Sequence, residues 1–247
     1  TTFSTKTEAV AYTVDADTTF TGTVLANTGT TIGTSGTDII LSAAANTGAT
    51  ALAASTTLTA NNTLATAATT LATGSTLTAN GIMTTTGDVT VTSGTLNLNV
   101  ASNAIDHLKL LGTAVLNVDK SIASGTTLNT GTTADGAASY AATAKIKLAT
   151  TIASGDTLKI VDSGGFDAAG GTQTETTAAA AIDLILQDTA LIDYSAGVTN
   201  GTTITITAND KTATTVANEL AVEVNVAKAA QQVMQAAIAN VSAGDTA

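Results

Sequence analysis

The chain has no cysteine, no proline and no tryptophan, and all eight of its basic residues are lysine. Without cysteine no disulfide can staple a small, loop-rich scaffold, although many exported bacterial proteins also lack it. Aromatic residues make up 2% of 247 residues, and His107 is the only histidine. A compact globule normally fills its core with rings and Leu. Here the interior must come from Val, Ile, Leu, Ala and Thr, which suits thin, regularly stacked structure. With no arginine and few lysines, nothing can neutralise phosphates, so nucleic acid is excluded as a partner and an anionic membrane is disfavoured. No apolar run approaches the ~18 residues of a transmembrane helix. The longest, 178–186, is broken by Asp183. No insertion of this segment into a membrane is therefore expected. A chain that opens on Thr1 rather than Met is expected either to have lost a leader or to have been trimmed.

What is present is a period. Stepping by nineteen from Leu77 gives Leu58, Ile39 and Phe20 backward, then Leu96 and Val115 forward. Six large apolar residues in line define a candidate core ladder. A second column two residues later reads Gly22, Leu41, Ala60, Ala79, Leu98 and Asn117. The residues between are mostly Thr. Apolar–polar–apolar spacing is that of a strand with one face buried. Glycine precedes most of these strands, in "SGTDI", "GSTL", "SGTL", "LGTAV", "SGTTL", "SGDTL" and "NGTTI". It opens a corner, and the Thr after it favours extended backbone. One strand and one corner per period is a coil of an all-β parallel solenoid with roughly 19-residue coils. Stacked at the spacing of paired strands, the six columns make a column roughly 25–30 Å tall. No coil can bury its apolar stripe alone, so stacking creates the core.

The period divides the chain. Residues 1–19 form an N-terminal cap or a strand exchanged with another subunit, and 20–128 form regular coils. After Val115 the register loosens, because "SIASGTTLN" (121–129) returns as "TIASGDTLK" (151–159) after thirty residues. An excursion around 135–140 fills the difference. Alternating stretches at 144–148, 157–161, 182–186 and 203–207 read as further, less regular coils across 129–212. In 213–247, "ELAVEVNV" (219–226) alternates like a strand. The Ala- and Gln-rich 227–241 places Val233, Met234, Ala237, Ile238 and Val241 on one face of a short helix. That section reads as a cap on the solenoid, a linker or a subunit contact.

Chemistry-bearing residues are sparse. Asp106 and His107 are adjacent, but neighbours on a strand point to opposite faces, so spacing alone does not orient them as a catalytic pair. His107 reads as a solvent-facing or loop residue, and no "GxSxG" elbow is present. Glycan-active β-helices need clustered carboxylates and sugar-stacking rings, whereas Tyr12, Tyr140 and Tyr194 are far apart in the chain. No catalytic or cofactor-binding residue is assigned, and the chain reads as non-enzymatic. Structural Ca²⁺ is the one ion to consider. "DSGGFDAAGG" supplies Asp162 and Asp167 on a Gly-rich loop, and "VDADTT" supplies Asp15 and Asp17. For both, a solvated acidic turn is the simpler reading. A net charge of −11 would repel neighbouring subunits in a polymer unless screened or bridged.

In style the chain resembles the passenger region of autotransporter (type V secretion) proteins, in the adhesin-like branch. The resemblance rests on coils such as "SGTLNLNV" and on "GDTLKIVDSGG…LQDTALIDYSAGVTNGTTITITAND" (155–210). It rests also on the Ala-rich tail "AQQVMQAAIANVSAGDTA". It implies a right-handed parallel β-helix, a Gram-negative source and a place outside the cell or on the outer-membrane surface. It carries over no functional residue. Two functions remain. The first is a structural subunit that self-associates, as homo-oligomer or homopolymer, into a filament, tube or surface layer. The second is an adhesin passenger contacting a host, abiotic or glycan surface or a neighbouring cell. Thr-rich coils without an aromatic insertion favour the first. The stretch "TTFSTKTEAVAYTV" (1–14) covers its own first coil or adds as a strand to another subunit.

Overall fold

The computed structural model describes residues 1–33, 35–100, 103–118, 139–148, 154–155, 157–162, 166–168, 171–173, 175–199, 203–221 and 224–244. The fold is a β-solenoid of about six turns with coils near nineteen residues, closed by antiparallel strands and helices. A typical coil contributes three short strands, so the stack has three faces.

On face one, Asp38–Leu41, Thr57–Ala60, Thr76–Ala79, Thr95–Leu98, Val115–Val118 and Lys145–Leu148 pair in parallel, each with the next. Face two carries Ala45–Asn46, Leu64–Thr66 and Met83–Thr85, then a lone bridge from Thr84 to Ala104. Face three carries Ala49–Leu52, Thr69–Leu71, Asp88–Thr92, His107–Leu111 and Ser139–Tyr140. At the N-terminal end, Thr2–Phe3 and Thr18–Phe20 begin face one. Val24–Ile32 runs round the corner between faces two and three, and Thr7–Val14 follows it. Residues 1–14 thus cover their own neighbouring coil.

Along face one the alternation puts Leu58, Leu77 and Leu96 fully inside, with Thr57, Thr76 and Thr95 turned outward. Each buried Leu contributes about 1.5–3 kcal/mol. Ile39, Leu58, Leu77 and Leu96 stand in register. The two ends of the expected ladder do not. Phe20 pairs with Leu41, one column over, because the coil between them is longer at its corners. Leu96 pairs with Leu116, and Val115 is a partly exposed neighbour of Thr95. One extra residue before that strand moves the inward set by one position, and period-two geometry then flips Val115 out.

The corners explain two glycines. Gly48 has φ +58°, and a Cβ there would lie 2.7 Å from the carbonyl carbon of Thr28. At Gly81 a Cβ would lie 2.3 Å from that of Asn62. Coils meet too closely there for a side chain. Polar groups are also stacked. Asn99 donates to Asn80 (2.7 Å) and Asn80 to Asn61 (2.9 Å), while Asn117 donates to Asn97 (2.6 Å) and Asn97 to Thr78 (2.9 Å). Inside the stack, hydroxyls pair as Thr47 with Thr50 (2.7 Å) and Thr66 with Thr69 (2.8 Å), which satisfies them without water.

Beyond Leu148 the structure departs from the expectation of more coils. Thr157–Asp162, Thr203–Asp210 and Ile192–Thr199 form one antiparallel sheet. Phe166–Ala168 and Gly171–Gln173 form an antiparallel hairpin. The "IDLIL" stretch lies mostly in helix α1 (Glu175–Ile185), where the preceding alanines favour helix and Ala179, Ile182 and Ile185 are buried. Leu186–Gln187 then returns to face one beside Ile146. The core of the coils continues through α1 into Ile192, Tyr194, Ile204 and Ile206. The first "IASG" copy (121–129) and most of the excursion before Tyr140 lie outside the described residues.

The expected strand at 219–226 is a helical hairpin, α2 (Ala213–Leu220) and α3 (Val224–Gly244). Thr212 caps α2 by accepting from the amide of Thr215, and Ala221 ends it in the left-handed region. Val216 and Ala217 pack on Ala227, so local contacts override the alternating pattern. Lys211 pins the hairpin to the sheet. Its buried ammonium meets Glu219 at 2.7 Å and Asp193 at 3.5 Å. Its carbonyl accepts from Gln231, and Gln235 donates to Asp210.

This end sets an alkaline limit. Burial works against the charge on Lys211, but its hydrogen bond and ion pair with Glu219, aided by Asp193 and Asp188, outweigh it and raise the pKa. Burial, with help from Asp188, pushes the Tyr194 hydroxyl up to about 12, and burial alone raises Tyr140. Each folded pKa lies above its unfolded value. The associated stability is therefore complete below pH ~10 and is lost as pH rises through the folded values. In an alkaline titration, the rise of tyrosinate absorbance should coincide with loss of the β circular dichroism signal. A normal titration centred near pH ~10 on a folded chain would contradict this burial.

Candidate functional site

The candidate site is the open N-terminal end. Among the described residues, no strand is stacked on the outer side of the first coil. Three of the chain's six Phe and Tyr rings, all within its first twenty residues, gather in it. Phe3 stacks on Phe20 with centroids 5.1 Å apart and planes 12° from parallel. Tyr12 meets Phe20 edge-on at 6.3 Å. Phe20 is buried, yet Phe3 is 42% exposed and Val10, at the corner of the edge strand, is 67% exposed. Phe3, Tyr12, Val14, Thr18 and Phe20 line a cavity of about 390 Å³ that opens at this end. The Tyr12 hydroxyl is buried without a hydrogen-bond partner. Its burial, and secondarily the charge of Glu8, raise its pKa. An unsatisfied buried hydroxyl is costly and gains from any group that reaches it.

The outer edge is a row of backbone groups. Among the described strands, Thr2–Phe3 pairs only with Thr18–Phe20, and Thr7–Val14 only with Val24–Ile32, so their other sides are edges of the sheet. Such an edge can accept a further strand. Its charges are balanced: Lys6 and Glu8 pair at 2.9 Å. On the flank below, Ala11, Gly29, Ala49, Ala51, Thr31 and Thr70 line a shallow groove of about 350 Å³.

Of the residues considered from sequence, Tyr12 and Asp15 line this cavity and Asp17 lies beside it at the Thr1 amine, while the others lie elsewhere. His107 is not solvent-facing; it is 4% exposed, opposite Asp88 on face three. Its Nδ1 lies 3.1 Å from Asp88 and 3.5 Å from Asp106. Asp106 sits at the bend before the strand, where alternation of faces does not yet apply, so the adjacent pair does converge. Asp88 is shared with Lys109 at 2.5 Å, making a compact charge cluster.

Asp17 uses its carboxylate to accept from the amide of Asp38 (2.9 Å) and its carbonyl to accept from the Thr1 amine (2.8 Å). Its carboxylate is therefore part of the coil junction. Asp15 lies beside Gly33, where a Cβ would approach its carboxylate to 2.8 Å. Asp162 ends the strand Thr157–Asp162 and Asp167 is central in Phe166–Ala168, while 163–165 between them lies outside the described residues. Among the described residues no group of three or more acidic, His or Cys side chains is placed to hold a metal.

Sequence reasoning missed the ring cluster. Its one signal was the concentration of scarce aromatics in the first twenty residues, which the coil trace makes spatial.

The described residues form a parallel β-solenoid whose far end is overlaid by α1 and antiparallel strands. No family model, no curated protein and no solved structure matches the chain.

Proposed function

We propose that this chain is a self-associating structural protein, the subunit of an extracellular filament, tube or surface layer on a Gram-negative bacterium, and that it acts without catalysis. The observation that carries the reading is the first described coil, where Phe3 and Val10 are exposed beside the unpaired edges of Thr2–Phe3 and Thr7–Val14. Aromatic residues are rare in this chain, and rings on a partly exposed surface are the usual anchors of protein contacts. The sequence resemblance to autotransporter passengers supplies the secreted location.

The second reading, an adhesin passenger, draws on the shallow Ala-, Gly- and Thr-lined groove of the flank. That groove has Tyr12 as its only ring, which favours many weak contacts over one tight ligand.

Negative-stain electron microscopy with and without millimolar Ca²⁺ tests the proposal. Ordered polymers or layers are expected, and calcium dependence would assign work to the carboxylates. Separate short rods in both conditions would sink the structural reading and favour the adhesin.

A further inference from the structure

We infer that Asn80-Gly81 is a latent deamidation site, held unreactive by the asparagine ladder that stacks across its coil. The inference does not depend on whether or how the chain self-associates.

The chemistry of the dipeptide is general. Glycine has no Cβ, so its amide nitrogen can reach the side-chain carbonyl carbon of the asparagine before it without hindrance. That nitrogen bonds to Cγ, the Cγ–Nδ2 bond breaks, and the side-chain amide takes up the proton the nitrogen gives up and leaves as ammonia. Water then opens the resulting succinimide at one of its two carbonyls, giving an aspartyl or an isoaspartyl residue. No reactant other than water is consumed.

At this corner the glycine is obligatory. A Cβ at position 81 would lie 2.3 Å from the carbonyl carbon of Asn62 and 2.5 Å from its oxygen, both backbone atoms of the coil before. The coils on either side carry Asn61-Asn62 and Asn99-Val100 at the same corner, so the labile pair falls in the middle coil alone. The chain's other Asn-Gly, 200–201, lies outside the described residues.

Asn80 is exposed, so burial does not shield it. It is held from both sides instead. Its Nδ2 donates to Asn61 at 2.9 Å, and its Oδ1 accepts from Asn99 at 2.7 Å. Both bonds run along the stack, whereas Gly81 continues the chain around the coil. To be attacked, the side chain has to give up both bonds and fold back on its own backbone. The product does not restore the ladder. A carboxylate at position 80 can still accept from Asn99, but it has nothing to donate to Asn61, and two acceptor oxygens then face each other. The isoaspartyl form also adds a main-chain carbon just before Met83–Thr85, whose register with Leu64–Thr66 the corner sets. An opening of the ladder is thereby recorded as a permanent negative charge in mid-stack.

The test follows position 80 by peptide mass spectrometry, separating asparaginyl, aspartyl and isoaspartyl forms, while the full chain ages in mildly alkaline buffer. A synthetic peptide of residues 76–85 gives the unprotected rate. The parent should react at least about tenfold more slowly than the peptide, since two hydrogen bonds must open first. Asn61→Ala and Asn99→Ala each remove one bond and should speed the reaction roughly two- to tenfold. Asn61→Asp keeps an acceptor for Nδ2 and should leave the parent's rate unchanged. Asn97→Ala breaks the neighbouring ladder on the same coils, between Thr78 and Asn117, and should also leave it unchanged. Circular dichroism and melting confirm that each variant is folded. A parent that reacts as fast as the peptide overturns the inference. So does a slow parent whose rate neither alanine variant at 61 or 99 alters, which would place the protection in the backbone of the corner. Equal acceleration by Asn97→Ala overturns it as well, because general loosening of the coils would then be the cause.

Discussion

Leu77→Asp should abolish folding. Leu77 is fully buried between Leu58 and Leu96, its register partners above and below, and beside Ala79 on its own strand. Nothing there can donate a hydrogen bond to a carboxylate. The new side chain must either be buried charged or take up a proton, and the residual penalty, with the lost Leu packing, is of order several kcal/mol. A domain of this size has about 5–15 kcal/mol in total. The architecture magnifies the lesion, because each coil is stabilised mainly by its two neighbours and a break in mid-stack separates two halves. Thr78→Asp is the control. Thr78 is next in sequence, faces outward and accepts from Asn97 at 2.9 Å, which a carboxylate can also do. It should stay within about 0.5 kcal/mol of the parent. Circular dichroism and thermal melting of both variants decide the matter. A folded Leu77→Asp with an unchanged melting point would show that this column is not the core.

The same column shows what the sequence could and could not reveal. Ile39, Leu58, Leu77 and Leu96 were legible because three successive coils have identical length. Phe20 and Val115 were misplaced because the coils at either side are longer by one or two residues, inserted at corners that carry no apolar signal. Faces two and three were hard to see for a related reason: their strands are two to five residues long, too short for a period to declare itself. The antiparallel sheet at the C-terminal end was read as more coils because parallel and antiparallel strands alternate alike, and partner choice is non-local. One cue was present. Asn200-Gly201 lies between two eight-residue strands, a sequence typical of hairpins. The candidate site was the least legible. Phe3, Tyr12 and Phe20 have no common spacing, and they meet only because the first coil is shorter than those after it.

Removing residues 58–76, one whole coil, should leave a folded and slightly shorter solenoid. The deletion joins Thr57 to Leu77, and the local sequence Thr-Leu-Thr-Ala-Asn is the same before and after. Ile39 would then stack on Leu77 and Leu41 on Ala79, which preserves both inward columns of face one. The changes elsewhere are modest: Ala45 gains Met83 as its neighbour in place of Leu64, and Thr50 gains Val89 in place of Thr69. Thr50 keeps its internal partner Thr47, so the deletion orphans neither hydroxyl. In a quasi-one-dimensional stack the loss amounts to one repeat and one interface, about 1–3 kcal/mol and a fall of a few degrees in melting temperature. Removing 58–67 instead takes out fewer residues and should do far more damage. Gly74, with φ +72° at its corner, would take the place of the fully buried Leu64 in the middle of face two. Every later strand would then sit on the wrong face of the coil below. Such a chain should show no cooperative transition and no native β spectrum. If the half-coil deletion melted cooperatively while the whole-coil deletion did not, the length of the coil would not be what the fold is built on. The contrast is thus sharper than that of any single substitution, since the larger deletion is the tolerated one only if the coil is the unit that stacks.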